Sequence, residues 1–283
     1  MGAEPEVQRP RVGHISFLNC LPLYWGLQRT GGLDLVDLVS DTPDRLSDAL
    51  VAGELEAGPI SVVEYLRHPD DLLLLPDLAV GSDGPVMSVC LVSNRPPSEL
   101  DGRTVALGST SRTSVLLADL LLAERYGVHP RWVTRPPDLR AMMREADAAV
   151  LIGDAALRAS LHEAADLGLE VHDLGAAWHD WTGLPMVFAV WAVREPWYRR
   201  DPHAVVRVHR AFVASRDLAV ARVDEVAAEA ARWEPFTAVE LEHYFRTLDF
   251  RLGVRQLDGL REFARRVAPL AGTPSDPVIR LVD

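Results

Sequence analysis

The sequence predicts an α/β protein of two lobes around a central cleft, and three observations carry that expectation. One order of elements occurs twice, a turn-rich stretch at 92–102 separates the copies, and an apolar run at 187–194 follows the second copy. In the first copy, 11–18 reads as a strand that gives way to a polar turn and an apolar helix at 22–28. In the second, 104–108 is the strand, STSRTS at 109–114 the turn, and VLLADLLLAERYG the helix, with Gly127 as its stop. The later halves match more closely. DTPDRLSDALVAGELEAGPISVVEYL and RPPDLRAMMREADAAVLIGDAALRAS each set a proline before an Asp-led amphipathic helix, Pro43-Asp44 and Pro137-Asp138, and then give a short strand of small and apolar residues.

The remaining elements follow from their punctuation. SNRPPSELDG at 93–102 is the expected first connection between lobes, and 182–186 the second. The strand at 187–194 then returns to the first lobe and is ended by Pro196 and Pro202. Helices near 204–221, 223–233, 238–250 and 257–268 clothe that lobe. The expected lobes are thus residues 1–95 with 188–283, and residues 96–187. The tail, AGTPSDPVIRLVD, either packs back through Val278, Ile279 and Leu281 or frays.

Composition narrows the partners. The 283 residues are 48% hydrophobic and 25% charged, a soluble globular balance, and 41 acidic against 29 basic side chains leave a formal charge of −12. Such a field disfavours nucleic acid, whereas a small anion answers to its pocket and not to the total. No apolar stretch has membrane-spanning length, so no membrane partner is expected. The N-terminus shows no basic leader followed by an unbroken apolar segment, and the two cysteines, Cys20 and Cys90, read as reduced thiols; both point to the cytoplasm. There is no HExxH, paired-cysteine site, Walker loop or GxGxxG fingerprint, so neither a metal nor a cofactor is expected.

Candidate ligand groups cluster where predicted strands end. Ser109, Ser111, Thr113 and Ser114 offer hydroxyls and amides at a helix start, a place suited to phosphate or carboxylate; the same residues also suit an N-cap. Arg112 inside that cluster meets either an anion or a surface acid, and the hydroxyls rank ahead of it because a long arginine can leave a cleft. Ser16 and Asn19 lie at the first strand end, where an amide orients a carboxylate or hydroxyl without taking charge, or caps the helix that Pro22 opens. Ser61 and the pair Gly153 and Asp154 hold the corresponding positions of the two copies, facing the cleft or capping the helices that follow. Ser88 is a pocket donor or a turn residue. Thr182 and Gly183 belong to a predicted rigid loop in which Gly183 permits close approach, with Trp178 and Trp181 covering a ring or serving packing.

Taken in order, HISFLNCLP, GELEAGPISVVEYL, GPVMSVCLVSN, VALGSTSRTS, AAVLIGDAAL and WTGLPMVFAVW resemble the chorismate dehydratase (MqnA) family of menaquinone biosynthesis, across nearly the whole chain. The resemblance implies a two-lobed fold like that of type II periplasmic binding proteins, used by a cytoplasmic enzyme. It implies loss of water from chorismate to form 3-[(1-carboxyvinyl)oxy]benzoate in the futalosine pathway. Asn19 is then the expected catalytic residue, orienting the substrate; the base is left open, a carboxylate on the substrate's own enolpyruvyl arm being one candidate. The alternatives are 1,4-dihydroxy-6-naphthoate synthase of the same pathway and a noncatalytic organic-acid-binding protein. Phe17, where relatives also carry tyrosine, warns against giving every aromatic residue a role.

Overall fold

A computed structural model describes residues 9–108 and 112–283. Its strands are β1 (Arg11–Ile15), β2 (Asp37–Asp41), β3 (Ala57–Ser61), β4 (Leu72–Ser82), β5 (Val89–Ser93), β6 (Thr104–Leu107), β7 (Arg131–Thr134), β8 (Ala148–Ile152), β9 (Glu170–Asp173) and β10 (Met186–Arg194). They form two five-stranded sheets, ordered β2-β1-β3-β10-β4 and β7-β6-β8-β5-β9. One plan serves both. In each sheet the first strand of the repeat pairs in parallel with the next two, and a strand delivered by a crossing of the chain inserts antiparallel as fourth in the row. The repeat read from the sequence is therefore a repeat of topology.

The first crossing lies earlier than expected. β5 pairs antiparallel with β8, Val89 opposite Ile152, and with β9, Cys90 opposite Asp173, so the chain changes lobe between Ser82 and Val89 and the boundary after residue 95 moves ahead of β5. A five-residue apolar run does not announce which sheet will take it; its partners, some sixty to eighty residues on in the sequence, decide. The return strand begins at Met186.

Thirteen described helices cover the sheets: α1 (Leu21–Thr30), α2 (Pro43–Ala52), α3 (Val62–Arg67), α4 (Arg112–Leu120), α5 (Leu139–Met142), α6 (Gly153–Arg158), α7 (Ala164–Asp166), α8 (Leu174–Thr182), α9 (Glu195–Arg200), α10 (Pro202–Ala221), α11 (Val223–Ala230), α12 (Ala238–Thr247) and α13 (Val254–Ala271). Their starts follow the capping rules. Asp138, Asp173 and Asp201 accept N–H groups of α5, α8 and α10, and Thr237 with Glu240 forms a reciprocal capping box on α12. One hydrophobic core runs through both lobes, with Trp178, Trp191, Tyr65, Phe212 and Phe263 fully buried. A smaller core backs the second sheet. Along β5, Val89 and Leu91 face the first core while Cys90 and Val92 face the second, as strand alternation requires. The tail returns to the first lobe: Leu281 bridges Leu74 of β4 and Val282 is buried, whereas Val278 stays exposed.

Candidate active site between the sheets

The carboxyl ends of β1, β3 and β8 meet the starts of β5 and β10 in the groove between the sheets, the place where open α/β folds hold ligands. A cavity of about 50 Å³ lies there, walled by Ile15, Phe17 and Phe188 and presenting the polar groups of Asn19, Ser61, Ser88 and Ser114 with the backbone of Gly153. Small-molecule sites span about 300–1,000 Å³. The cavity as it stands is smaller than a ring-sized ligand requires.

Ser88 sits on an unusual piece of backbone. Its N–H bonds the Val86 carbonyl at 2.7 Å around Met87, which has φ of +61°; this is a tight three-residue γ-turn with a non-glycine residue in the left-handed region. The surroundings hold that strain in place. The Asp173 carboxylate accepts the N–H groups of Val86 and Met87 at 3.0 and 2.7 Å, the Ser160 hydroxyl donates to the Met87 carbonyl, and Gly153 donates to the Ser88 carbonyl at 2.8 Å. Asn19 occupies the middle of a 3-10 turn, Leu18–Cys20, that leads into α1. Among the described residues its Oδ1 is buried without a hydrogen-bond partner. The Tyr244 hydroxyl, which α12 brings in, is buried beside Ser88. Nothing in the sequence set Tyr244 apart from other core aromatics.

Ionisable groups are scarce at this cavity. Among the described lining residues the only one is Cys20, and burial lifts its thiol well above the ordinary range, so it stays neutral. Arg112 turns away, pairing with buried Glu64 on α3 and reaching Asp48 on α2 at 2.9 Å. Asp154 accepts the Leu18 N–H at 3.0 Å; burial raises its carboxyl to about 6, Glu234 adding to the rise while the Leu18 bond opposes it.

The predicted residues therefore divide. Asn19, Ser61, Ser88, Ser114 and Gly153 line the cavity, Ser61 while also accepting the Glu64 N–H as cap of α3. Thr113 is fully buried, and its hydroxyl accepts the N–H of Val63 across the lobes. Ser16 lies to one side, 2.7 Å from the Ser40 hydroxyl, on a neighbouring concavity of about 370 Å³ that also holds Trp25 and Trp233. Thr182 and Gly183 stand outside the cavity: the expected loop is the C-terminal turn of α8, where Thr182 bonds the Trp178 carbonyl and Gly183 supplies the left-handed cap. Trp178 is core, edge-on to Trp181 and Phe263. Ser109 and Ser111 lie outside the described residues. A broader groove of about 650 Å³, lined by Arg9, Arg11 and Trp197, opens at the amino end of β1, away from these groups.

A family model described as menaquinone biosynthesis matches residues 10–269. The chain belongs to that menaquinone-biosynthesis family. A chorismate dehydratase of Thermus thermophilus is 34% identical over 95% of this chain and 98% of its own length. Among solved structures, a protein of Archaeoglobus fulgidus superposes with a TM-score of 0.74 at 20% identity, covering 94% of this chain and 99% of its own. The alkanesulfonate-binding protein of Xanthomonas axonopodis pv. citri, solved with MOPS, gives 0.69 at 16% identity over 99% and 98%. This member of the menaquinone-biosynthesis family thus has the two-lobed periplasmic-binding-protein-like fold. Among its described residues no helix is long and apolar enough to cross a membrane.

Proposed function

We propose that this chain removes water from chorismate to give 3-[(1-carboxyvinyl)oxy]benzoate in the futalosine pathway, acting in the cytoplasm without a cofactor. The observation that carries the reading is the cavity itself: a buried amide and three hydroxyls, with no ionisable base among its described lining residues, in a chain 34% identical to a chorismate dehydratase.

Such a lining suits a reaction in which the substrate brings its own base. The carboxylate of the enolpyruvyl arm takes the proton from ring C3, the C3–H electrons form the π bond between C3 and C4 that completes the aromatic ring, and the C4–O bond breaks to release the hydroxyl. That hydroxyl departs as water with the proton removed from C3, so the atoms balance. The protein's task is orientation and dryness. Asn19 offers both donors and an acceptor to hold the arm or the departing hydroxyl, and Ser88 offers a hydroxyl from a turn that Asp173, Ser160 and Gly153 hold by hydrogen bonds. The amino ends of α1 and α4, reached through Cys20 and Ser114, favour a dianion without an arginine in the pocket.

The test is incubation of purified protein with chorismate, following appearance of the aromatic product and loss of the ring diene. Stoichiometric product from catalytic protein supports the reading. Tight binding of chorismate without turnover would identify a binding protein instead, and neither binding nor turnover would overturn the assignment.

A further inference from the structure

Two consecutive residues at the start of α6 reach from the second lobe to both halves of the proposed machinery. Gly153 donates its N–H to the Ser88 carbonyl at 2.8 Å, and Asp154 accepts the N–H of Leu18, first residue of the turn that carries Asn19, at 3.0 Å. That N–H is an end group with no partner of its own. The residue before it, Phe17, has no side chain able to cap the turn, so the cap is borrowed from the other lobe. Gly153 adds a packing constraint: its φ is +58°, and a Cβ there would stand 3.1 Å from the Phe17 ring.

We propose that Asp154 is a positioning residue: it caps the Asn19 turn across the cleft while its neighbour Gly153 holds Ser88, so that closure of the lobes fixes the spacing of the two groups. The inference rests on the reading of this cleft as the chorismate site. It moves Asp154 from ligand to scaffold, because its Oδ1 holds the Leu18 N–H and it is not among the residues lining the cavity.

The groups facing Asp154 are Glu234 beyond α11, Arg158 on α6, the Cys20 thiol on the 3-10 turn and the Tyr244 phenol on α12. Arg158 is the one cation among them, and it is shared with Glu163 at 3.1 Å. A carboxyl raised to about 6 in that setting gives the cap a pH dependence: the charged acceptor binds an N–H more strongly than the protonated acid does, so the turn is held best above that value and loosens as pH falls through it.

The experiment compares wild type, Asp154→Asn and Asp154→Ala by chorismate turnover against pH and by hydrogen exchange of the segment containing Leu18. Asp154→Ala should lower kcat about tenfold with KM within threefold, and the Leu18 amide should exchange faster. Asp154→Asn keeps an acceptor oxygen, so it should retain most of kcat at pH 8 and lack the decline below pH 6 expected of wild type. Wild-type kcat in Asp154→Ala overturns the proposal, as does a rise in KM at unchanged kcat, which would mark a substrate ligand. Should wild type not consume chorismate, the substrate reading fails on its own, and exchange still decides the cap: equal protection of Leu18 in wild type and both variants overturns it.

Discussion

Thr113, on α4 of the second lobe, accepts the main-chain N–H of Val63, on α3 of the first, at 3.2 Å. With the bond from Leu18 to Asp154, it makes a pair of backbone contacts that join the lobes on two sides of one cavity. The predicted anion cradle is therefore divided: Thr113 serves closure, and Ser114 lines the pocket. Thr113→Val leaves a buried N–H unpaired and should cost about 1–3 kcal/mol in urea unfolding, weakening chorismate and a neutral ring analogue alike. Ser114→Ala should weaken chorismate about tenfold more than the neutral analogue by calorimetry, because it removes a polar group from the pocket wall. Equal losses for both ligands in Ser114→Ala would assign it to folding.

Arg112 adds a charged tie between the same elements, holding buried Glu64 and more exposed Asp48. Its removal leaves Glu64 with the partly exposed Arg67 and His68 at 3.7 and 3.2 Å. Arg112→Ala is expected to destabilise the protein by about 1–2 kcal/mol, less at high salt, with KM for chorismate within threefold of wild type. A hundredfold rise in KM at unchanged stability would instead bring the guanidinium to the substrate.

Asp154 makes stability and site organisation pull in opposite directions. Its carboxyl titrates near 6 in the folded chain, and an unperturbed aspartate near 3.9. Between those values the folded state binds the proton that the unfolded state has released, so this group's contribution to stability falls as pH rises through the window and is level above it. Two units correspond to about 3 kcal/mol. Asp154→Asn, which cannot ionise, should therefore unfold at a higher temperature than wild type at pH 8, and the two should converge near pH 4. A variant less stable than wild type at pH 8 would show that the carboxylate is better solvated than its burial implies.

Much of this architecture is legible in the residues. Two Pro-Asp helix starts, two strands of small apolar residues and the late run at 187–194 are local signals, and the paired sheets follow from them. What the sequence hides is of longer range. Val89–Ser93 reads the same whether it finishes the first sheet or opens the second, and only β8 and β9 settle the matter. Thr182-Gly183 carries the same letters as a binding loop and as a helix end, since both use glycine's left-handed backbone. Asp154 was visible as a polar residue at a strand end, but its partner Leu18 lies 136 positions away and offers only a main-chain N–H, which no side-chain pattern reveals. The strain at Met87 is equally silent, because its cause is Asp173 and Gly153 closing around the turn.

Asn19 carries the most direct prediction. Among the described residues its Oδ1 is buried and without a partner, in a cavity whose described walls are otherwise apolar, hydroxyl or thiol, so the amide is held at a cost that substrate would offset. Asn19→Ala removes the orienting bonds and leaves the shape of the pocket nearly intact; chorismate should still bind within about tenfold, while kcat should fall by about 100-fold or more because an interaction of the transition state has gone. Asn19→Asp keeps the size but exchanges a donor for an acceptor and brings a negative charge toward a dianion, so it should impair binding as well. The difference between the two variants is the informative quantity. If the amide donates to the arm carboxylate, Asp is the worse replacement in both kcat and affinity, and raising the ionic strength rescues it little because the Oδ1 position is buried. Turnover at saturating chorismate, paired with calorimetric binding on protein shown to be folded, reads both effects. Near-wild-type turnover in both variants would leave Asn19 as a residue of the 3-10 turn and transfer the orienting role to Ser88.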